Sequence, residues 1–454
     1  MKRIEKRTVI CLILAALLAL GTGLFTLRLV LNGGRWASFA ANRHLYSSQG
    51  TLMVGRVLDR DGEVLSWVDE SGSRQYYPDQ TVRKATLHAV GDRSGAIGTG
   101  ALVAFAQELS GYNLITGANN PLGQGNDVYL TIDAGLNAVA YQALNGRKGA
   151  VGVYNYQTGE ILCMVSTPTF DPANPPEIQD GDERYEGVYL NRFLSSTFTP
   201  GSVMKTVTVT AALEELPGIE ERTFICTGST VVGGETVTCP YAHGEMDLGG
   251  TLVNSCNGAY AQLAVELGPE KLTEYVKKAG LLSSYSVDGI TTAKGSFDLT
   301  GAGEAQIGWA GVGQYNDLVN PCAMMVWMGA IANGGKAAQP QLIQQVDGGL
   351  SLPELPFGKM TGRLIAADTA QKVADYMAQA VVVSYGAGRF PEGLCAKSGT
   401  AQMDGGKRST AWFTGFLRDP STPYAFAVVV EEGGAGSNAA GGVAAQVLAA
   451  LLDA

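Results

Sequence analysis

From Val9 to Leu27 the chain reads VICLILAALLALGTGLFTL, 19 residues without a charge. Only a helix satisfies its own backbone in hydrocarbon, and a helix needs ~20 residues to cross a bilayer. The preceding residues, MKRIEKR, are basic, and Arg28 lies just beyond the run. Basic residues before the run and few after it place the N-terminus inside and the rest of the chain outside. A cleaved signal peptide would usually have an apolar core of ~7–15 residues with a small-residue cleavage site close behind. No convincing site adjoins this run, so an uncleaved anchor is favoured. The basic flank argues against a buried soluble helix. The expected organisation is a cytoplasmic tail at 1–7, a membrane anchor at 8–31, a short extracytoplasmic region at 32–126 and a larger domain at 127–454.

The 454 residues are 46% hydrophobic, enough for one large domain or two with a real core. A net charge of -10 and a pI near 5.0 argue against nucleic-acid binding, which favours basic faces. Of seven cysteines, Cys11 lies in the apolar run and six lie where oxidation is possible. Cys226 and Cys239 flank TGSTVVGGETVT, which reads as a hairpin turning at Gly-Gly. A disulfide between them is one expectation, and free thiols are the other. The spacings contain no CxxC and there are three histidines, so no zinc site or other cofactor is expected.

GRVLDRDGEVLSWVDESG reads as strand, Asp-Gly turn, strand, and NNPLGQGND, at 119–127, as a turn-rich linker. The pattern then becomes α/β. LNAVAYQAL reads as a helix, and GAVGVYNYQTGEILCMVSTP as a hairpin of two mostly apolar strands. Ser202 to Leu216 reads as one buried helix ended by Pro217-Gly218. LVNSCNGAYAQLAVELG reads as another helix. GLCAKSGTAQ, TAWFTGFLRD and YAFAVVVEE read as three consecutive antiparallel strands, followed by a closing helix, AGGVAAQVLAALLDA.

Within TFTPGSVMKTV, Ser202 and Lys205 stand at i and i+3 of the expected helix and so share one face. A serine hydroxyl is a poor nucleophile unless a base takes its proton, and a lysine does that only when neutral. Burial and a second cation both lower a lysine's pKa. Pro200-Gly201 places Ser202 at the helix start, where backbone N–H groups favour developing negative charge. Ser-x-x-Lys alone arises by chance about once or twice in a chain of this length. Two further segments give it weight. Ser255-Cys256-Asn257 offers a second hydroxyl and an amide. Lys397-Ser398-Gly399-Thr400 puts a cation and two hydroxyls on a strand whose glycine allows a substrate backbone close approach. The N–H groups of Ser202 and Thr400 would form an oxyanion hole, and Lys397 with Ser398 and Thr400 would suit a carboxylate.

Ser-x-x-Lys, Ser-x-Asn and Lys-Ser-Gly, in that order, are the motif set of penicillin-recognising enzymes. With DVYLTIDAGLNAVAYQAL, LNRFLSSTFTPGSVMKTV, NSCNGAYAQLAVELG, GAIANGG, AKSGTAQ and AWFTGF, the chain closely resembles class B penicillin-binding proteins, the monofunctional peptidoglycan transpeptidases. The likeness covers nearly all of 127–454. His243-Gly244 and the Cys226/Cys239 pair resemble a subset of that family. GVGQYNDLVNPCAMM departs from the family's usual Gly-Gln-Gly and Thr-Pro-Leu pattern on the acceptor side of the cleft, and Val54 stands where an arginine is usual. The region at 32–126 is shorter than most family pedestals, and no glycosyltransferase domain fits before residue 127.

The resemblance implies a penicillin-binding, β-lactamase-like α+β fold, an antiparallel sheet flanked by helices. It implies Ser202 as nucleophile, Lys205 as base and Ser255 as proton relay. Asn257 would hold the donor backbone, and Lys397, Ser398, Gly399 and Thr400 its terminal carboxylate. The substrate would be a peptidoglycan stem peptide ending in D-Ala-D-Ala, and β-lactams would acylate Ser202. With no assignable deacylating base, the acyl-enzyme would hydrolyse slowly. A SEDS-type glycan polymerase in the membrane is the implied partner. A D,D-carboxypeptidase would use the same residues. A non-catalytic β-lactam sensor or division scaffold is a third reading, disfavoured because Ser202, Lys205 and Lys397 are all present and about seven residues precede the anchor.

Overall fold

The computed structural model describes residues 2–37, 54–110, 125–347, 359–402 and 409–453. Most of the linker expected at 119–127 lies outside the described residues, as does 38–53 of the region after the anchor. The chain starts with a helix, Lys2–Ala37. Its segment Ile4–Val30 is long and apolar enough to cross a membrane, and none of it is buried against the rest of the chain. At 1.5 Å per residue this segment reaches about 40 Å, more than the ~30 Å hydrocarbon core.

The predicted hairpin after the anchor forms from Val57–Leu58 and Val64–Val68, with Gly62 at a φ of 90° in the turn. It belongs to a five-stranded sheet ordered Ile343–Asp347, Asp127–Leu130, Val57–Leu58, Val64–Val68, Arg74–Tyr76. Val57 pairs in parallel with Val128, and the Arg56 guanidinium holds the Asp127 carboxylate. Strand Asp127–Leu130, which opens the larger domain, therefore takes one neighbour from the short region and the other from more than 200 residues further along the chain.

A second sheet is antiparallel throughout, ordered Leu394–Ala401, Thr410–Leu417, Tyr424–Val430, Gly149–Asn155, Ile161–Thr167. All five strands lie where the sequence reads strands, two as a mostly apolar hairpin and three as consecutive strands. Most of their residues are buried on both faces because helices cover both, Ser398 and Thr400 on the edge strand being less buried. Along Tyr424–Val430, Ala425, Ala427 and Val429 join one core, whereas Phe426, Val428 and Val430 join the other. The first core holds helix Pro321–Ala332, which is apolar all round and buried, as a helix inside a protein must be. The second holds the closing helix Gly436–Asp453.

The edge strand Leu394–Ala401 faces the helical layer, and there two expected helices turn out to be broken. Ser202 lies in a 3-10 turn, Gly201–Met204, and the α-helix starts at Lys205 and runs to Glu215. The LVNSCNG segment ends one helix, Leu248–Val253, and starts another, Asn257–Lys278. Between them the chain makes a helix-terminating turn. Ser255 N–H donates to Leu252 O (3.1 Å) and Cys256 N–H to Thr251 O (2.9 Å), with Ser255 in the left-handed region at a φ of 52°. Glycine is the usual occupant of such a position, so nothing in the sequence pattern announced the break.

Candidate active site

Missing side chains allow the Ser202 turn to lie against the edge strand. A Cβ on Gly399 would sit 2.6 Å from Pro200 O, and one on Gly201, where φ is 56°, 2.9 Å from Thr400 O. Gly201 N–H donates to Gly313 O (2.8 Å), and Trp412 Nε1 donates to Thr199 O (2.9 Å). Contacts from three directions, one of them the Trp412 side chain, hold the turn, and Ser202 itself is only partly buried.

One 3-10 turn on, Lys205 shares the face of Ser202. Its side chain is completely buried. Nζ donates to Ser255 O (2.6 Å), Asn257 Oδ1 (2.7 Å) and Ser255 Oγ (3.2 Å). Burial, reinforced by the positive charge of Lys397, holds this amine well below the usual lysine range. Once deprotonated, this amine keeps two N–H donors for the carbonyl and the amide oxygen, and in place of the third bond its lone pair can accept from a hydroxyl.

Lys397 reaches the same hydroxyl from the strand. Its Nζ donates to Ser255 Oγ (3.0 Å) and Ser398 O (2.9 Å), and burial pushes its pKa down to about 7. The side chain has no exposure. Its charge therefore reaches the cleft through Ser255 and not, as the motif suggested, by direct exposure to a carboxylate. Ser398 is partly buried and Thr400 exposed on the same strand, and as alternate residues they share one face. Thr400 Oγ1 accepts from Gly436 N–H (3.1 Å), which ties the strand to the closing helix.

Asn257 opens helix Asn257–Lys278 with both ends of its amide engaged: Oδ1 with Lys205, and Nδ2 donating to Thr238 O (2.8 Å). A donor backbone would have to replace the Thr238 bond. Two residues were missed from sequence. Tyr385, in the turn Val381–Gly386, accepts hydrogen bonds at its hydroxyl from Ser398 N–H (2.9 Å) and Ser398 Oγ (3.1 Å). Gln314, in the segment that departs from the family pattern, accepts from Gln402 N–H (2.9 Å) at the end of the edge strand. In the same segment both carboxylate oxygens of Asp317 are buried without a partner, and burial raises its pKa well above the carboxylate range.

Of the two expectations for Cys226 and Cys239, the structure has the free thiols. The hairpin forms as predicted, Ser229–Val232 and Glu235–Thr238, with Gly233 and Gly234 at φ of 56° and 85°. Cys226 and Cys239, however, carry free thiols and are not bonded to each other. They meet Cys256 and His243, the four ligand atoms lying within 4.8 Å of one another. The sequence reading found no metal-ligand spacing because these residues come from three separate strand ends and the turn after Ser255, with no short CxxC repeat to mark them.

A serine at a helix start, a dehydrated lysine one turn on and a Lys-Ser-Gly-Thr edge strand define a serine-type acyltransferase. Residues 149–453 match the family described as penicillin binding protein transpeptidase domain, and the chain belongs to that family. The peptidoglycan D,D-transpeptidase PbpA of Mycobacterium tuberculosis is 29% identical over 360 residues, 73% of this chain and 72% of that protein. Stage V sporulation protein D of Bacillus subtilis is 29% identical over 301 residues, 62% of this chain and 45% of that protein. Among solved structures, the D,D-transpeptidase domain of a peptidoglycan glycosyltransferase from Eggerthella lenta is 26% identical and superposes with a TM-score of 0.73, covering 88% of this chain and 98% of that one. The ceftriaxone acyl-enzyme of penicillin-binding protein A from M. tuberculosis shares the fold, with a TM-score of 0.77 at 23% identity, over 89% of this chain and 99% of that one.

Proposed function

We propose that the chain is a membrane-anchored D,D-transpeptidase that cross-links peptidoglycan stem peptides through an acyl-enzyme on Ser202. The observation that carries this reading is the meeting of two buried amines on one hydroxyl, Lys205 Nζ at 3.2 Å and Lys397 Nζ at 3.0 Å from Ser255 Oγ. Two ammonium ions do not share a buried site without losing a proton. The amine that stays neutral is available as a base, and the other supplies the positive charge.

In the forward step Lys205 takes the Ser202 proton as Oγ attacks the carbonyl between the two terminal D-alanines. The Ser202 and Thr400 N–H groups receive the oxyanion. The close packing of Gly201 on Thr400 O supports this pairing, because it sets the two backbones side by side. The proton on Lys205 passes through Ser255 Oγ to the departing D-alanine amine. Ser398 and Thr400 hold the terminal carboxylate, with Lys397 behind them. An amine from a second stem peptide then attacks the ester and releases Ser202. Exchange of one amide for another needs no nucleotide, which suits chemistry outside the membrane. Helix Lys2–Ala37 serves as a single-pass anchor in the cytoplasmic membrane, with the domain outside. A SEDS-type glycan polymerase is the proposed partner there, on the family resemblance.

Incubating the detergent-solubilised chain with a D-Ala-D-Ala donor and an amine acceptor tests the reaction. A cross-linked product is expected. Free D-alanine and hydrolysed donor alone would make the chain a D,D-carboxypeptidase.

A further inference from the structure

Strand Leu394–Ala401 ends its sheet among the described residues, paired with Thr410–Leu417 on one side, where Ser398 stands opposite Phe413. Ser398 N–H points to the other side and donates to the Tyr385 hydroxyl (2.9 Å). Alternate residues of an antiparallel strand aim their backbone groups alike, so the Thr400 N–H faces that side too. Gly201 packs on Thr400 O there. Tyr385 therefore occupies the backbone donor next in line to the one expected to receive the oxyanion. Its turn, Val381–Gly386, is fastened at both walls of the cleft. Ser384 Oγ donates to Val253 O (2.8 Å), two residues before Ser255. The Tyr385 ring packs edge-on against Phe413, with centroids 5.3 Å apart.

A phenol, like a serine hydroxyl, holds one proton to donate and accepts at its oxygen. The Tyr385 oxygen accepts from Ser398 N–H and from Ser398 Oγ, 3.1 Å away, and its own proton has no acceptor among the described residues. Burial raises the phenol pKa, so that proton stays in place. A carboxylate only accepts, and it binds best to groups with a proton to give. We propose that Tyr385 is a positioning residue for the donor's terminal carboxylate. As the carboxylate arrives, the hydrogen bond between the two hydroxyls reverses: Tyr385 donates to Ser398 Oγ, and Ser398 Oγ donates to the carboxylate. No proton changes owner; two O–H bonds rotate. Ser398 gains a charged partner without giving up its bond to Tyr385, and each bond in such a row polarises the next. The inference rests on the acyl-transfer reading, in which Ser398 meets that carboxylate.

The test compares two probes on the full chain in detergent: benzylpenicillin, whose carboxylate stands for that of the donor, and its methyl ester, which has none. Tyr385→Phe keeps the ring on Phe413 and removes the hydroxyl. It should slow acylation by benzylpenicillin about fivefold and acylation by the ester less than about twofold. The backbone N–H of Ser398 loses its acceptor with either probe, so that cost drops out of the ratio. Ser398→Ala, which leaves the phenol in place for the backbone, should show the same selective loss with benzylpenicillin. Adding Tyr385→Phe to Ser398→Ala should then cost less than about twofold more, because the two act through one hydrogen bond. Equal losses with both probes, no loss with either, or a full further fivefold loss in the Ser398→Ala background would overturn the role of Tyr385. An unsubstituted chain that takes up neither probe on Ser202 would instead overturn the acyl-enzyme reading beneath it.

Discussion

The two serine turns of the cleft differ in what holds them beyond their own backbone bonds. The Ser202 turn rests on backbone: Gly201 against Thr400, Gly399 against Pro200, and Gly201 N–H on Gly313 O. The Ser255 turn adds to its own backbone bonds two lysine amines on the Ser255 hydroxyl, and carries a serine in a left-handed conformation where glycine is the usual occupant. A nucleophile needs fixed direction, and close backbone packing supplies it. A proton relay needs its hydroxyl matched to two amines, and that requires a side chain in a position where a side chain is strained. The Ser202 turn is thus stable and specific together, whereas the Ser255 turn gives up stability for chemistry.

That contrast can be broken in graded ways. Lys205→Ala removes the base that serves both turns and should lower the acylation rate by about 10²–10⁴-fold. The melting temperature should hold or rise, because a buried amine disfavours the folded state; a large fall in melting temperature would mean that Lys205 is chiefly structural. Gly399→Ala drives a methyl toward Pro200 O and should cost about 1–3 kcal/mol in a denaturant titration, with acylation falling in parallel. Ser255→Gly is the mirror of that change. It should relieve strain and stabilise the chain by about 1 kcal/mol while slowing acylation at least as severely. A variant less stable than the parent would show that the Ser255 turn is not strained.

The smallest expected effect is electrostatic. Lys397 has a folded-state pKa of about 7, below the unfolded value of 10.5. The folded state therefore binds fewer protons between those two values, and stability rises with pH across that window. The cost of burying a charged Lys397 is present in full below about pH 7 and fades as pH climbs toward 10.5. Lys397→Met should flatten that rise in thermal melts taken from pH 7 to 10. An unchanged slope would place the titration elsewhere.

What the sequence made legible follows the same division. Elements set by local chemistry were readable: the apolar strands, the Gly-Gly hairpin, the Asp-Gly turn, and the three motifs whose residue types suit an acyl transfer. Features set by contacts distant in sequence were not. The break at Ser255 has neither glycine nor proline to signal it. Tyr385 acquires its role only when its hydroxyl meets Ser398. Strand Ile343–Asp347 looks unremarkable until it pairs with Asp127–Leu130. The cysteines, read as a possible pair, became a cluster of three with His243 because the fold gathers three strand ends and the Ser255 turn.

Mass spectrometry of the penicillin-labelled full chain puts the central claim to its most direct test. After digestion, the penicilloyl adduct should sit on Ser202 alone, and Ser202→Ala should carry none. An adduct on Ser255 or any other residue, or undiminished labelling of Ser202→Ala, would contradict the assignment of Ser202 as the nucleophile.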